Sequence, residues 1–276
     1  MKRRELQLEP KEGKQNMGAA NKNEVPVKDA PHYSAPALEK GLDILELLHQ
    51  SESALTQKEI SARLNRSVSE LYRMLNILVR RNYIANYADK FGPTTKLYKL
   101  SQVHPPVRRL LSAALPIMEE ISREIDFGCD LRVYNAGSQT VLASVDAPGG
   151  LGFSVRTGSE IAVAPSASGR VLIAFQDSDT ADLRLRESLK GLADSEIKSF
   201  RKDVHEVAVK GYAALQSRQY EGLYAISFPV LDINGYAIAA LTVPMLPRID
   251  SSRQASREDV ISALRGAADR LSQING

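Results

Sequence analysis

The sequence predicts an α+β protein of two domains, a helical front third closed by a hairpin and a larger mixed back. Three observations predict it. The chain has 276 residues, about two domains at roughly 100–200 residues each. The front third repeats apolar residues at a helical period, punctuated by two capping signals. Past residue 126, short strand-like runs with turn signals alternate with helical runs, the mark of a mixed, mainly antiparallel architecture.

Composition bounds the rest. Hydrophobic residues make up 43% and charged residues 25%, enough to bury a core at an ordinary charge density. The one cysteine, Cys129, excludes an internal disulfide and fits a reducing cytoplasm. No run of 18 apolar residues occurs, so no membrane contact is expected. Residues 1–35 are polar and contain Gly and Pro. Basic residues open this stretch, but no 7–15-residue apolar core follows, so it is expected to be a disordered arm and not a secretory signal. Net charge is +3, carried by the front: +2 over residues 1–35, +3 over 36–101 and −2 over 102–276. That asymmetry is compatible with a nucleic-acid-facing front.

The elements follow in order. "PALEKGLDILELLHQ" (36–50) has apolar residues at Leu38, Leu42, Ile44, Leu45, Leu47 and Leu48, a helical spacing, with Pro36 near its start. "TQKEISARLN" (56–65) opens on Thr56 with Glu59 three residues later, a capping box. Ser67 and Glu70 repeat the box a few residues on. Two short helices joined by a tight turn, the second the longer, form a helix-turn-helix. On the second helix Val68, Leu71, Met74, Leu75 and Leu78 share the inner side. Ser69, Arg73, Asn76 and Arg80 face outward, flanked by Glu70 and Tyr72. Hydroxyls, a guanidinium and an amide are the groups that read base edges and hold phosphates; a solvated outer face is the alternative. "NYIANYADKFGPTTKLYKLS" (82–101) reads as two strands around a Gly-Pro loop, a wing that puts Lys90, Lys96 and Lys99 near phosphates. The DNA-contacting set expected for residues 36–101 is therefore Thr56, Ser67, Ser69, Glu70, Tyr72, Arg73, Asn76, Lys90 and Lys96.

"HPPVRRLLSAALPIMEEISREI" (104–125) is a helix starting at two prolines, with Pro116 expected to kink it. It is the linker helix of a segment spanning 102–125. Strands are expected at 130–135 and 140–146, a loop at 147–153, and a helix from Ser166 after Pro165. A long helix follows over 193–212, ending near Gly211. Three strands come next, the last two turning at Asn234-Gly235, and an amphipathic helix closes the chain at 257–274.

The segments "PALEKGLDILELL…LTQKEISARLNRSVSELYRMLNILVRRNYI…KLYKLS", "VAPSASGRVLIAF" (163–175) and "KGYAALQSRQYEGLYAISFPVLDINGYAIAALTV" (210–243) together resemble the IclR family of bacterial transcription regulators. Ser101 stands where that family more often has Gly. The resemblance runs from about residue 36 to 274. It implies a winged helix, a linker helix and a C-terminal α/β domain similar to GAF domains, over residues 126–276, for effector binding and oligomerisation. It also implies a homodimer or tetramer on a palindromic operator in double-stranded DNA, and a small organic acid or aromatic effector, with no cofactor.

For the effector, the helix start at Ser166, Ala167, Ser168 and Gly169 offers backbone N–H groups to a carboxylate and room for close approach; tight packing of helix on sheet is the alternative. The resemblance adds Thr242, at a polar family position, and Ala225, where some members have Cys. Arg218 and Tyr220 lie where members often carry an acidic residue, which alters the charge the pocket presents.

Catalytic signals fail. His32, His49, His104 and His205 are scattered without metal-ligand spacing. Ser195 and Lys198 in "SEIK" match a Ser-x-x-Lys pattern on an amphipathic helix with no companion motif. Gly149, Gly150 and Gly152 make a loop, not a phosphate cradle. Cys129 reads as a small core residue. The chain is expected to be a regulator and not an enzyme. The second function class is a small-molecule-binding or catalytic α/β domain whose winged helix serves protein interaction.

Overall fold

Helix α1 (Pro36–Gln50) starts with proline in its first turn, where the missing N–H costs nothing, and buries Ile44 and Leu48. Strand β1 (Leu55–Thr56) leads into α2 (Gln57–Leu64), and Asn65 ends α2 in the left-handed region at φ 51°. Helix α3 (Val68–Arg80) follows two residues later and buries Leu71, Leu75 and Leu78. Both capping boxes form. The Thr56 hydroxyl accepts from the Glu59 N–H at 3.3 Å while Glu59 accepts from the Thr56 N–H at 2.7 Å; Ser67 and Glu70 repeat this at 3.3 and 2.9 Å. Across the turn, Gln57 Nε2 donates to the Val68 carbonyl at 3.2 Å, and Arg66 pairs with Asp43 of α1 at 3.0 Å. The computed structural model describes residues 35–149, 152–249 and 254–275; the expected arm lies outside them apart from Ala35.

The wing differs from expectation. Strands β2 (Ile84–Tyr87) and β3 (Lys90–Pro93) pair antiparallel, Tyr87 opposite Lys90, and β1 adds on the far side of β3. The turn is therefore Ala88-Asp89, at φ 50° and 68°, the positive pair that a two-residue type I′ turn requires. Gly92-Pro93 belongs to a strand. The run Leu97, Tyr98 and Leu100, expected as the returning strand, lies in helix α4 (Lys96–Gln102). Lys96 and Lys99 thus leave the wing. Two compact units meet in the sequence at Thr94/Thr95, and α4 belongs to the second.

In the second unit, α5 (Pro105–Ile125) runs through Pro116. Strands β4 (Cys129–Asn135), β5 (Ser138–Val145), β6 (Glu160–Ala162), β7 (Ala213–Gln216), β8 (Tyr224–Leu231) and β9 (Ala237–Met245) form one sheet. Its order is β6-β5-β4-β9-β8-β7, with every neighbour antiparallel. Asn234-Gly235 makes the last turn as expected, Gly235 sitting at φ 83°. Helices α5 and α9 (Arg257–Asn275) cover one face, over Leu131, Ile226, Phe228, Leu241 and Val243. Helices α6 (Ala167–Ala174) and α8 (Asp194–Lys210) cover the other, and α7 (Ser178–Ser188) packs beside α6. Alternation along a strand sends odd and even residues to opposite faces. Hence Asp130, Arg132, Ala225, Ser227, Thr242 and Pro244 turn toward α6, and a cavity lies on that side.

Candidate functional sites: the helix-turn-helix face and the cavity under helix α6

On α3 the polar set stands clear of the core. Ser69, Tyr72, Arg73, Asn76 and Arg80 are all exposed, opposite the buried Leu71, Leu75 and Leu78. Val68, expected inside, is 42% exposed. Glu70 belongs to the helix cap and pairs with Lys40 of α1 at 3.0 Å. Hydrogen bonds from Ser67 and from Lys40 hold its carboxyl down at about 2. Its charge is thus paired locally at the edge of the outer face. Thr56 and Ser67 likewise spend their hydroxyls on caps. Ser67 Oγ also lies 3.1 Å from Ser69 Oγ. Lys90 is exposed on β3. Lys96, on α4 of the other unit, is the member of the expected DNA-contacting set that the first unit does not contain.

The cavity of about 500 Å³ on the α6 side lies within the range of small-ligand sites. It brings together Ser166, Ala167, Tyr220 and Ala225 from the expected effector set. Ser166 caps α6, its hydroxyl accepting from the Gly169 N–H at 3.0 Å and donating to the Val163 carbonyl at 3.0 Å. Tyr220 meets Phe153 edge to face at 5.2 Å between centroids. Ile161, Leu215, Leu223 and Pro244 supply the apolar wall, and Arg156 and Glu160 supply opposite charges.

Four members of the expected set lie elsewhere. Gly169 does not open room for a ligand; it faces the Val163 carbonyl, which fills the space a side chain would need. Thr242 is fully buried and bonded to the Ser227 hydroxyl at 2.9 Å. Arg218 lines a second, 380 Å³ cavity beside α8, with Arg170 and Asp203. Ser168 is buried too, and accepts from Arg132 Nη1 at 3.0 Å.

Arg132 is the residue that sequence reading missed. It lines the main cavity and is itself 6% exposed. Its Nε and Nη2 both bond the carboxylate of Asp130, the latter at 2.9 Å. A bidentate pair of this kind is the geometry that a buried guanidinium needs. The available signal was the alternation in "CDLRV": two opposite charges at i and i+2 share one face of a strand. Burial and the adjacent Asp130 push the Cys129 thiol far up, so it is a protonated core group and not a nucleophile. Among the described residues no cluster of three His, Cys, Asp or Glu is placed to hold a metal, and no helix is long and apolar enough to cross a membrane.

Comparison with known proteins gives the lineage. Residues 106–273 match the family model described as "Bacterial transcriptional regulator IclR C-terminal", and residues 37–86 match "IclR helix-turn-helix domain". The chain belongs to the IclR family. It is a DNA-binding transcription regulator of the IclR type, as its curated relatives are. The regulator KdgR of Escherichia coli is 26% identical over 251 residues, 88% of this chain and 94% of KdgR. The Pca regulon regulatory protein of Pseudomonas putida is 25% identical over 223 residues, 75% of this chain and 73% of that protein. Among solved structures, an IclR homologue from Microbacterium hydrocarbonoxydans, complexed with 4-hydroxybenzoate, superposes with a TM-score of 0.71 at 20% identity. It covers 86% of this chain and 98% of its own. Pseudomonas aeruginosa HmgR gives 0.66 at 22% identity, covering 88% and 100%. These likenesses establish the IclR fold for both units.

Proposed function

We propose that this IclR-type regulator reads a palindromic operator as a cytoplasmic homodimer or tetramer, and that a small organic acid or aromatic catabolite in the α6 cavity changes its operator affinity. Helix α3 enters the major groove. Arg73 and Asn76 reach base edges, Ser69 and Tyr72 touch bases or backbone, and Lys90 on the wing meets phosphate. The observation that carries this is the division of labour on α3. The carboxylate of its first turn is tied to Lys40 and the cap, while Arg73 and Asn76, with no bond to another side chain among the described residues, stand exposed on the outer face. Residues 126–276 bind the effector and join the copies. The ligand acts by binding one arrangement of the DNA-binding units better than another.

The test is a binding assay on the chain's own upstream intergenic DNA at two salt concentrations, beside an unrelated duplex. Specific retention that weakens steeply with salt is the expected result, because several phosphate contacts release several counterions. If neither that DNA nor any duplex from a randomised selection is retained specifically, the operator reading is wrong.

A further inference from the structure

We infer that Arg132 anchors the ligand of the α6 cavity through a single carboxylate, with Asp130 as the buried counter-charge that makes a monocarboxylic acid the preferred class. This rests on the effector reading above and deepens it. A guanidinium carries five N–H donors. In Arg132, three are used: Nε and one Nη2 hydrogen on Asp130, and one Nη1 hydrogen on Ser168. The remaining two, one on each amino nitrogen, have no acceptor among the described residues. Buried donors are almost always paired, and this side chain is 7% exposed against 1% for Asp130. Arg132 lines the cavity, so the missing acceptor belongs in the cavity. A carboxylate offers two coplanar oxygens to such a fork.

Charge narrows the class. Asp130 already cancels the guanidinium, so the inner end of the cavity is neutral before a ligand arrives. One carboxylate brings it to a single negative charge, beside the start of α6, whose dipole favours an anion. A second carboxylate would have to find its partner on the rest of the wall, whose Arg156 and Glu160 carry opposite charges. A neutral amide brings no charge and only one good acceptor. Between the ends, Ile161, Leu215, Leu223 and Pro244 accept an apolar body, and the Phe153–Tyr220 pair suits a ring.

The experiment is a binding and thermal-shift panel on the full chain. The probes are benzoate, phenylacetate and 4-hydroxybenzoate, their amides, and the dicarboxylates phthalate and succinate. The variants are Asp130→Asn with Arg132→Gln, which removes both charges together, Arg132→Lys, which keeps the charge without the fork, and Ala225→Trp, which fills the cavity. At least one monocarboxylate should bind at least tenfold tighter than its amide and than either dicarboxylate. The double variant should lose that preference and Arg132→Lys should keep part of it. If the double variant does not fold, Arg132→Lys decides alone: an unchanged affinity there overturns the anchor. Binding that Ala225→Trp abolishes but the double variant retains overturns Arg132 and leaves the effector cavity standing. A preference for dicarboxylates or amides overturns the charge argument. Failure of every probe, or binding indifferent to Ala225→Trp, overturns the cavity and the anchor together.

Discussion

Gly169 and Val163 are packed so closely that a methyl group on Gly169 would lie 2.2 Å from the Val163 carbonyl oxygen. No flexible side chain is available there to give way, since the obstacle is backbone. Gly169→Ala should therefore destabilise the second unit by about 1–3 kcal/mol, the usual cost of overpacking a tight site. Thermal unfolding followed by near-ultraviolet dichroism measures it. A variant as stable as the parent would show that the loop before α6 yields freely.

Glu70 gives a pH prediction with a defined sign. Its carboxyl is held at about 2, below the ordinary 4.5, mainly by the Ser67 backbone N–H and by Lys40. A depressed carboxylate stabilises the fold above its unfolded value, and that stabilisation is lost as pH falls from about 4.5 toward 2. Glu70→Gln should thus melt below the parent at pH 7, and the gap should close across that window. A gap independent of pH would assign the effect to shape and not to charge.

Removing the guanidinium in Arg73→Ala should cost about 1–3 kcal/mol on operator DNA and relax the preference at one base position. Lys90→Ala should weaken all duplexes alike and lower the salt slope by about one. Anisotropy titrations at several salt concentrations separate the two behaviours. Equal losses on operator and random DNA for Arg73→Ala would move that residue from bases to phosphates.

Breaking the buried pair from one side should be far costlier than removing both charges. Asp130→Ala leaves Arg132 as an uncompensated cation and should destabilise by about 3–5 kcal/mol. The double change Asp130→Asn with Arg132→Gln should cost markedly less. Denaturant unfolding of the two variants measures the contrast, and equal losses would mean that packing, not charge, dominates this site.

What the sequence made legible was local. Both capping boxes were readable because Thr56 with Glu59, and Ser67 with Glu70, each close within four residues. The α3 faces followed from spacing alone, apart from Val68 at the helix start, which is exposed. The wing was misread because "KLYKL" suits a strand or a short helix equally, and because the turn falls on Ala88-Asp89, neither a glycine, while the Gly-Pro signal sits inside β3. Arg132 escaped because an alternating charged strand ordinarily means a solvent face. Only the tertiary cover of α6 buries it. Gly169 was read as an opening for a ligand because a small residue looks the same whether backbone or ligand fills the space beside it. The α7 helix and the three-residue strand β6 passed unnoticed, the first for its weak apolar stripe, the second for its brevity.

The two capping boxes have a mechanical consequence. Helices α2 and α3 each begin at a fixed atom, are joined across the turn by Gln57 and Val68, and are pinned to α1 by Lys40 and Asp43. The reading surface is in effect a cast part. On the regulatory reading proposed above, a signal acts by where this part is delivered, as a printer places finished type and does not recut the letters.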